Sequence, residues 1–184
     1  MRPTAAELAA ARGRTIPDVV GPGLRVLFSG INPGLYSAAT GCHFARPGNR
    51  FWPALHASGF TAAQLSPSEQ RSLLSDGLGI TNIVARATAR ADELTPAELR
   101  AGGEALALLA ERLDVPFIAV LGVTAFRVAF GVPGAVVGSQ SLRIGGAHVW
   151  VLPNPSGLNA SWQLPRLAAA FRELRELSAA PRPA

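Results

Sequence analysis

The sequence predicts an α/β fold: a three-layer α/β/α sandwich around a short, mostly parallel, four-stranded sheet. Two observations carry this expectation. Four short apolar runs, each bounded by Gly, Pro or a polar turn, have the length of fully buried strands. The stretches between them are longer and repeat their apolar residues at helical spacing. Strands that alternate with helices pair in parallel, and the helices cover both faces of the sheet. A chain of 184 residues, 48% hydrophobic, is long enough for one well-buried core and too short for two, so residues 1–184 read as a single domain.

The elements follow in order. MRPTAAELAAARGR at the start is a short Ala-rich helical pattern carrying an acid, with no signal-peptide core. The first strand is 24–29 (LRVLFS). Helical patterns at 49–58 and 67–74 lead to the second strand, 79–84 (GITNIV). The pattern at 96–113 precedes the third strand, 117–121 (FIAVL), and 123–130 begins the next helix. The fourth strand is 148–152 (HVWVL), and Gly145-Gly146 just before it signals a local hairpin. The last helix spans 166–177, where Leu167, Ala170, Phe171, Leu174 and Leu177 form one stripe.

Composition narrows the chemistry. The formal charge is +5 and every basic side chain is Arg, because the sequence contains no Lys. Arg grips phosphate through a planar fork, so a polyanion such as nucleic acid is a plausible partner; an Arg-rich compositional bias accounts for the same surplus. One cysteine, Cys42, and three dispersed His leave no disulfide framework, structural zinc site or iron–sulfur cluster. The expected cofactor list is empty. No apolar run approaches the ~20 residues of a membrane span, and the expected location is the cytoplasm.

In open parallel sheets, ligands bind beyond the carboxyl ends of the strands. Two segments there share an unusual composition: GINPGL after the first strand and PNPSGLN after the last. Each alone is a turn. Together, on one edge of one sheet, they suggest a site. Asn32, the one side chain in GINPGL with hydrogen-bonding chemistry, is neutral and serves neither as a strong base nor as a nucleophile. A role in positioning remains.

These motifs resemble those of the mismatch-specific uracil/thymine DNA glycosylases, within the uracil-DNA glycosylase superfamily. The resemblance covers residues 24–177 and rests on GINPGLYSAATGCHFARPGNRFW, GITNIVARAT, ELRAGG and VWVLPNPSGLN in that order. It implies a uracil-DNA glycosylase-like fold and an enzyme of base excision repair. Such an enzyme flips uracil, or thymine or ethenocytosine, out of G-mispaired double-stranded DNA and hydrolyses the bond between base and sugar. The implied partners are the mispaired duplex and the enzymes that process abasic sites downstream, with the protein acting as a monomer. Asn32 matches the residue that holds the attacking water, and Ile31 a main-chain donor to the departing base. Phe44 matches the ring that stacks on the flipped base, and Asn82 a contact to its edge. Ser37 and His43 flank the pocket.

PNPSGLN (Asn154, Pro155, Ser156, Gly157, Leu158, Asn159) resembles the loop that enters the duplex. Leu158 is its wedge, while the main chain of Gly157 and Asn159 faces the orphaned guanine. Ala160 and Ser161 stand where some relatives carry a basic residue, so grip on the backbone is expected either to be weaker or to come from Arg46, Arg50 or Arg86. The other large branch of the superfamily carries GQDPYH and HPSPLS motifs, whose catalytic Asp and His are replaced here by Asn32 and Asn154. Asp92, on the same edge, is a secondary catalytic candidate; capping of the helix at 96 by Asp92 or Thr95 is the stronger explanation of it. With no side-chain amine for a Schiff base, the expected reaction stops at an intact abasic site. The rival reading is a non-catalytic mismatch- or nucleotide-binding module on the same scaffold.

Overall fold

The apolar runs become strands because each can bury both of its faces. The computed structural model describes residues 2–179. Its sheet contains β1 (Val26–Gly30), β2 (Leu78–Asn82), β3 (Phe117–Leu121), β4 (Gly138–Ile144) and β5 (Ala147–Leu152), in the spatial order β2-β1-β3-β5-β4. The first three strands and β5 run parallel, while β4 pairs antiparallel with β5. The sheet therefore has five strands, where the sequence predicts four. The additional one is the first arm of the hairpin turned by Gly145 and Gly146. Its side chains alternate between half-buried and exposed, as an edge strand's do, so it lacks the continuous apolar run by which the others are recognised.

Helices α3 (Phe51–Ala57), α4 (Pro96–Leu113), α5 (Val123–Phe130) and α6 (Leu164–Ser178) cover the two faces of the sheet, while α1 (Ala5–Ala10) and α2 (Leu35–Thr40) pack against each other. The bounds of α4 and α5 match the sequence expectation. Residues 67–76 wind as a 3₁₀ helix instead of an α-helix; Leu73 is its one buried residue, so little packing favours a wider turn. The short α2 has no long apolar stripe and was not expected from periodicity. Gly41, in the left-handed region at φ 72°, ends it. Among the described residues no helix is long and apolar enough to cross a membrane.

Alternation along the strands feeds two cores. Val26 and Phe28, with Ala119 and Leu121, Trp150 and Leu152, face α3 and α6. Leu27, Ile118, Val120, Val149 and Val151 face α4 and α5. Phe28 is the hub of the first core. Its ring stacks on Phe171 at 5.9 Å and meets Phe51 and Phe60 edge-on at 5.5 and 5.4 Å. Both layers hold the sheet so that the carboxyl ends of β1, β2, β3 and β5 open along one edge. Replacing Phe28 by Ala leaves an aromatic-sized void in that hub and is expected to lower stability by about 3–5 kcal/mol in chemical denaturation. A loss below about 1 kcal/mol contradicts this account of the core.

Candidate active site

The edge holds a cleft of about 630 Å³, within the range of small-ligand pockets. The segments expected to form a site from sequence converge on it: Gly30, Ile31 and Asn32 from one loop, His43 and Phe44 from a second, and Asn154, Ser156 and Leu158 from a third. Asn82 and Asp92 line it as well.

The loop after β1 is zipped to the loop after β2. Ile83 and Val84 donate their N–H groups to Gly30 O and Ile31 O, both at 2.9 Å, and Thr88 N–H donates to Pro33 O at 3.2 Å. The Asn32 amide completes the seam: its Nδ2 donates to Arg86 O at 3.0 Å and to Thr88 Oγ1 at 2.7 Å. A carbonyl can only accept, so the nitrogen of the carboxamide must face Arg86. Thr88 in turn donates to Arg90 O at 2.7 Å. Both amide protons are therefore committed, and Oδ1 is the group Asn32 has left for a ligand. Thr88 is buried, and sequence reasoning missed it; nothing in the order RATARADEL separates it from a loop threonine.

Asn82 ends β2 opposite Gly30. A Cβ on Gly30 would lie 2.5 Å from Asn82 Oδ1 and 3.2 Å from Phe44 Cζ, so glycine is what lets both side chains close over the end of β1. The Phe44 backbone sits at φ 53°, a conformation costly for an aromatic residue. Its ring stacks on Phe51 at 4.1 Å, which leaves the opposite face for a planar ligand. His43 is buried and lies behind Asn82, its Nδ1 3.3 Å from Asn82 Nδ2 and its Nε2 3.0 Å from Pro17 O. Burial pushes its pKa below the ordinary histidine range, outweighing the Pro17 carbonyl and the Asp18 charge. Gln70 accepts from His43 N at 2.8 Å, and Trp52 Nε1 donates to His43 O at 3.1 Å. Neither residue was found from the sequence. Ser37 Oγ accepts from Ala45 N at 3.1 Å and so anchors the same loop.

The third loop is strapped from beneath by Arg50, whose guanidinium donates to the carbonyls of Ser156, Gly157, Asn159 and Trp162 at 3.0–3.3 Å. Asn154 Oδ1 accepts from Ser156 N at 3.0 Å, an Asx turn. Pro155 O accepts from Arg50 N at 2.9 Å. Asn159 uses its N–H on Ser156 O at 2.9 Å and its C=O on Arg50, so the main-chain contact expected from Asn159 is already spent inside the loop. A Cβ on Gly157 would lie 2.6 Å from Gly48 O. Leu158, 77% exposed, stands out from this rigid base.

The basic residues sort in the same way. Arg50 serves the loop. Arg86 pairs with Glu98 through Nε–Oε1 at 2.5 Å and Nη2–Oε2 at 3.0 Å. Of the three arginines expected to grip phosphate, Arg46 is exposed at the cleft and makes no side-chain hydrogen bond among the described residues. Thr95, and not Asp92, caps α4, its Oγ1 accepting from Glu98 N at 3.2 Å. Asp92 is exposed and forked onto Arg90 at 2.5 and 3.1 Å. Among the described residues no three His, Cys, Asp or Glu side chains converge, and none is assigned to hold a metal.

Fold and site together define a class: α/β/α domains whose ligand cleft, at the carboxyl edge of a parallel sheet, is built from neutral carboxamides, an aromatic face and main-chain donors. The family model of the Uracil DNA glycosylase superfamily matches residues 17–176. The chain belongs to that superfamily. Its fold is similar to the solution NMR structure of a candidate uracil DNA glycosylase from Methanosarcina acetivorans, with a TM-score of 0.61 and 21% identity over 89% of this chain and 98% of that one.

The Arg86–Glu98 pair ties the loop after β2 to the start of α4. The guanidinium, helped by the Thr95 N–H, holds the Glu98 carboxyl at about 2, below its ordinary 4.5. A depressed acid stabilises the fold fully above its unfolded value and loses that contribution as pH falls through the folded one. Thermal stability is thus expected to drop between pH 4.5 and 2, and Glu98→Gln to flatten that part of the curve while lowering Tm at neutral pH. An unchanged profile in the variant contradicts it.

Proposed function

We propose that this protein is a monofunctional, mismatch-specific uracil-DNA glycosylase of base excision repair. It flips uracil from a G·U pair in double-stranded DNA and hydrolyses the N-glycosidic bond, leaving an abasic site. The single observation that carries the reading is the orientation of Asn32. With Nδ2 committed to Arg86 and Thr88, the amide offers an acceptor to a water in the cleft of about 630 Å³.

The chemistry needs no strong base. The bond between N1 of the base and C1′ breaks ahead of water attack, giving an oxocarbenium-like sugar and a uracil anion. Water held by Asn32 Oδ1 then forms the new O–C1′ bond and releases its extra proton to solvent, which also protonates the departed base. Holding the water in line substitutes for deprotonating it. The Ile31 N–H, which has no acceptor among the described residues, is placed to meet the developing negative charge. The base lies against the free face of Phe44, with its edge toward Asn82. Asp92, committed to Arg90, has at most an electrostatic part.

Leu158 fills the space the nucleotide vacates, and the N–H of Gly157 is the main-chain donor left to meet the orphaned guanine. Arg46 meets the backbone near the cleft. With no lysine, no Schiff base forms on a side chain.

The decisive experiment incubates the protein with labelled duplexes carrying G·U, A·U, G·T and single-stranded U, followed by alkali. Strand breaks after alkali at G·U, none without it, and no adduct trapped by borohydride are expected. Asn32→Ala should slow release at least about a hundredfold. No liberated uracil from any substrate leaves the non-catalytic mismatch-binding reading in place. In a separate assay, Leu158→Ala should weaken binding to a G·U duplex about tenfold without altering Tm, because the side chain is exposed. Unchanged binding contradicts the wedge.

A further inference from the structure

We propose that Arg50 is a positioning residue that holds the Leu158 loop in its duplex-entering shape before DNA arrives, and that it fixes the wedge to the same short element that carries the base-stacking ring. The inference rests on the reading of residues 154–159 as the loop that enters the duplex, and it assigns that loop's geometry to a side chain outside it.

Residues 153–163, between β5 and α6, have no helix or strand of their own to hold them. Four of their carbonyls, those of Ser156, Gly157, Asn159 and Trp162, converge on the Arg50 guanidinium at 3.0–3.3 Å. Carbonyl dipoles turned toward one point repel one another unless a cation with several donors stands there. The planar fork of Arg meets that demand, whereas the ammonium of Lys is a single point with three donors. Among the described residues no carboxylate pairs with Arg50, so the carbonyls are what hold its charge. A phosphate reaching this guanidinium would have to displace the loop it supports.

The strap also sets where the wedge stands. Arg50 precedes Phe51, the first residue of α3, and its C=O accepts from Ala54 N at 2.9 Å. Its own N–H donates to Pro155 O at 2.9 Å, and Gly157 lies against Gly48, where a Cβ would come within 2.6 Å of the Gly48 oxygen. The Phe51 ring, next in the chain, stacks on Phe44 at 4.1 Å. Adjacent residues thus carry the two parts that must act together: one holds the exposed Leu158, the other the ring expected to receive the base. With the loop ordered in the free protein, insertion of Leu158 loses no further loop entropy.

The test is a double-mutant cycle read by binding. The probe is a duplex with 2′-fluoroarabino-uridine opposite guanine, in which the fluorine prevents cleavage. Arg50→Lys keeps the charge and removes the fork. It should weaken binding about tenfold, as Leu158→Ala does in the wild type, because a loop out of place cannot insert its wedge. In the Arg50→Lys background, Leu158→Ala should then weaken binding less than about twofold. A contact to phosphate would tolerate the lysine, and a general loosening of the fold would let the two losses multiply to about a hundredfold. Arginine side-chain ¹H–¹⁵N NMR of the wild type, which depends on no variant folding, should resolve the Arg50 Nη protons as separate signals without DNA. Wild-type affinity in Arg50→Lys, losses that multiply, or Nη signals that separate only when duplex is added overturn the proposal. A tenfold loss in Leu158→Ala with multiplying losses removes the role of Arg50 alone; undiminished affinity in Leu158→Ala removes the wedge reading with it.

Discussion

The site depends on one small constraint, the double donation from Asn32 Nδ2 to Arg86 O and Thr88 Oγ1. Either hydrogen bond alone contributes only about 1 kcal/mol to stability. Their larger effect is directional. They join the loops after two adjacent strands, β1 and β2, and dictate which end of a nearly symmetric carboxamide meets the cleft. The backbone seam beside them, Ile83 to Gly30 and Val84 to Ile31, continues the parallel ladder past the end of the sheet, so the amide is carried on extended sheet and not on an independent loop.

Rigidity reaches the cleft through aromatic packing. Phe171, Phe28, Phe51 and Phe44 form a continuous series of ring contacts from the centre of one core to the pocket wall. Phe44 adopts a left-handed backbone conformation that its own side chain disfavours, and stacking on Phe51 offsets that cost. Its loop is held further by Gln70, Trp52 and Ser37, each spending a polar group on main chain. A ring held on one face by the core keeps the other face in place for a flat ligand, before any ligand arrives.

The arginines show how charge is divided between structure and surface. Arg50 spends its guanidinium on four carbonyls of the loop that carries Leu158, stiffening a segment with little regular hydrogen bonding of its own. Arg86 and Arg90 are engaged by Glu98 and Asp92. A net charge of +5 therefore overstates the arginine available at the cleft, where Arg46 stands exposed.

Much was legible locally. β3, α4 and α5 could be read at their ends because apolar periodicity, a Thr95 cap and closing turns are properties of neighbouring residues. β4 escaped because an edge strand buries little, and α2 because six residues make no stripe. The two Asn-Pro loops could be placed on one edge from strand order alone. By itself, then, the sequence determined the layers of the fold and which loops gather at the cleft, since burial patterns and motif order are encoded along the chain. Only the tertiary structure decided what those residues present: Asn32 as acceptor, His43 behind the pocket wall, Arg50 beneath a loop. A carboxamide or guanidinium takes its direction from its hydrogen-bond partners, and for Asn32 and Arg50 these lie 54 to 112 residues away, at distances no local pattern can report.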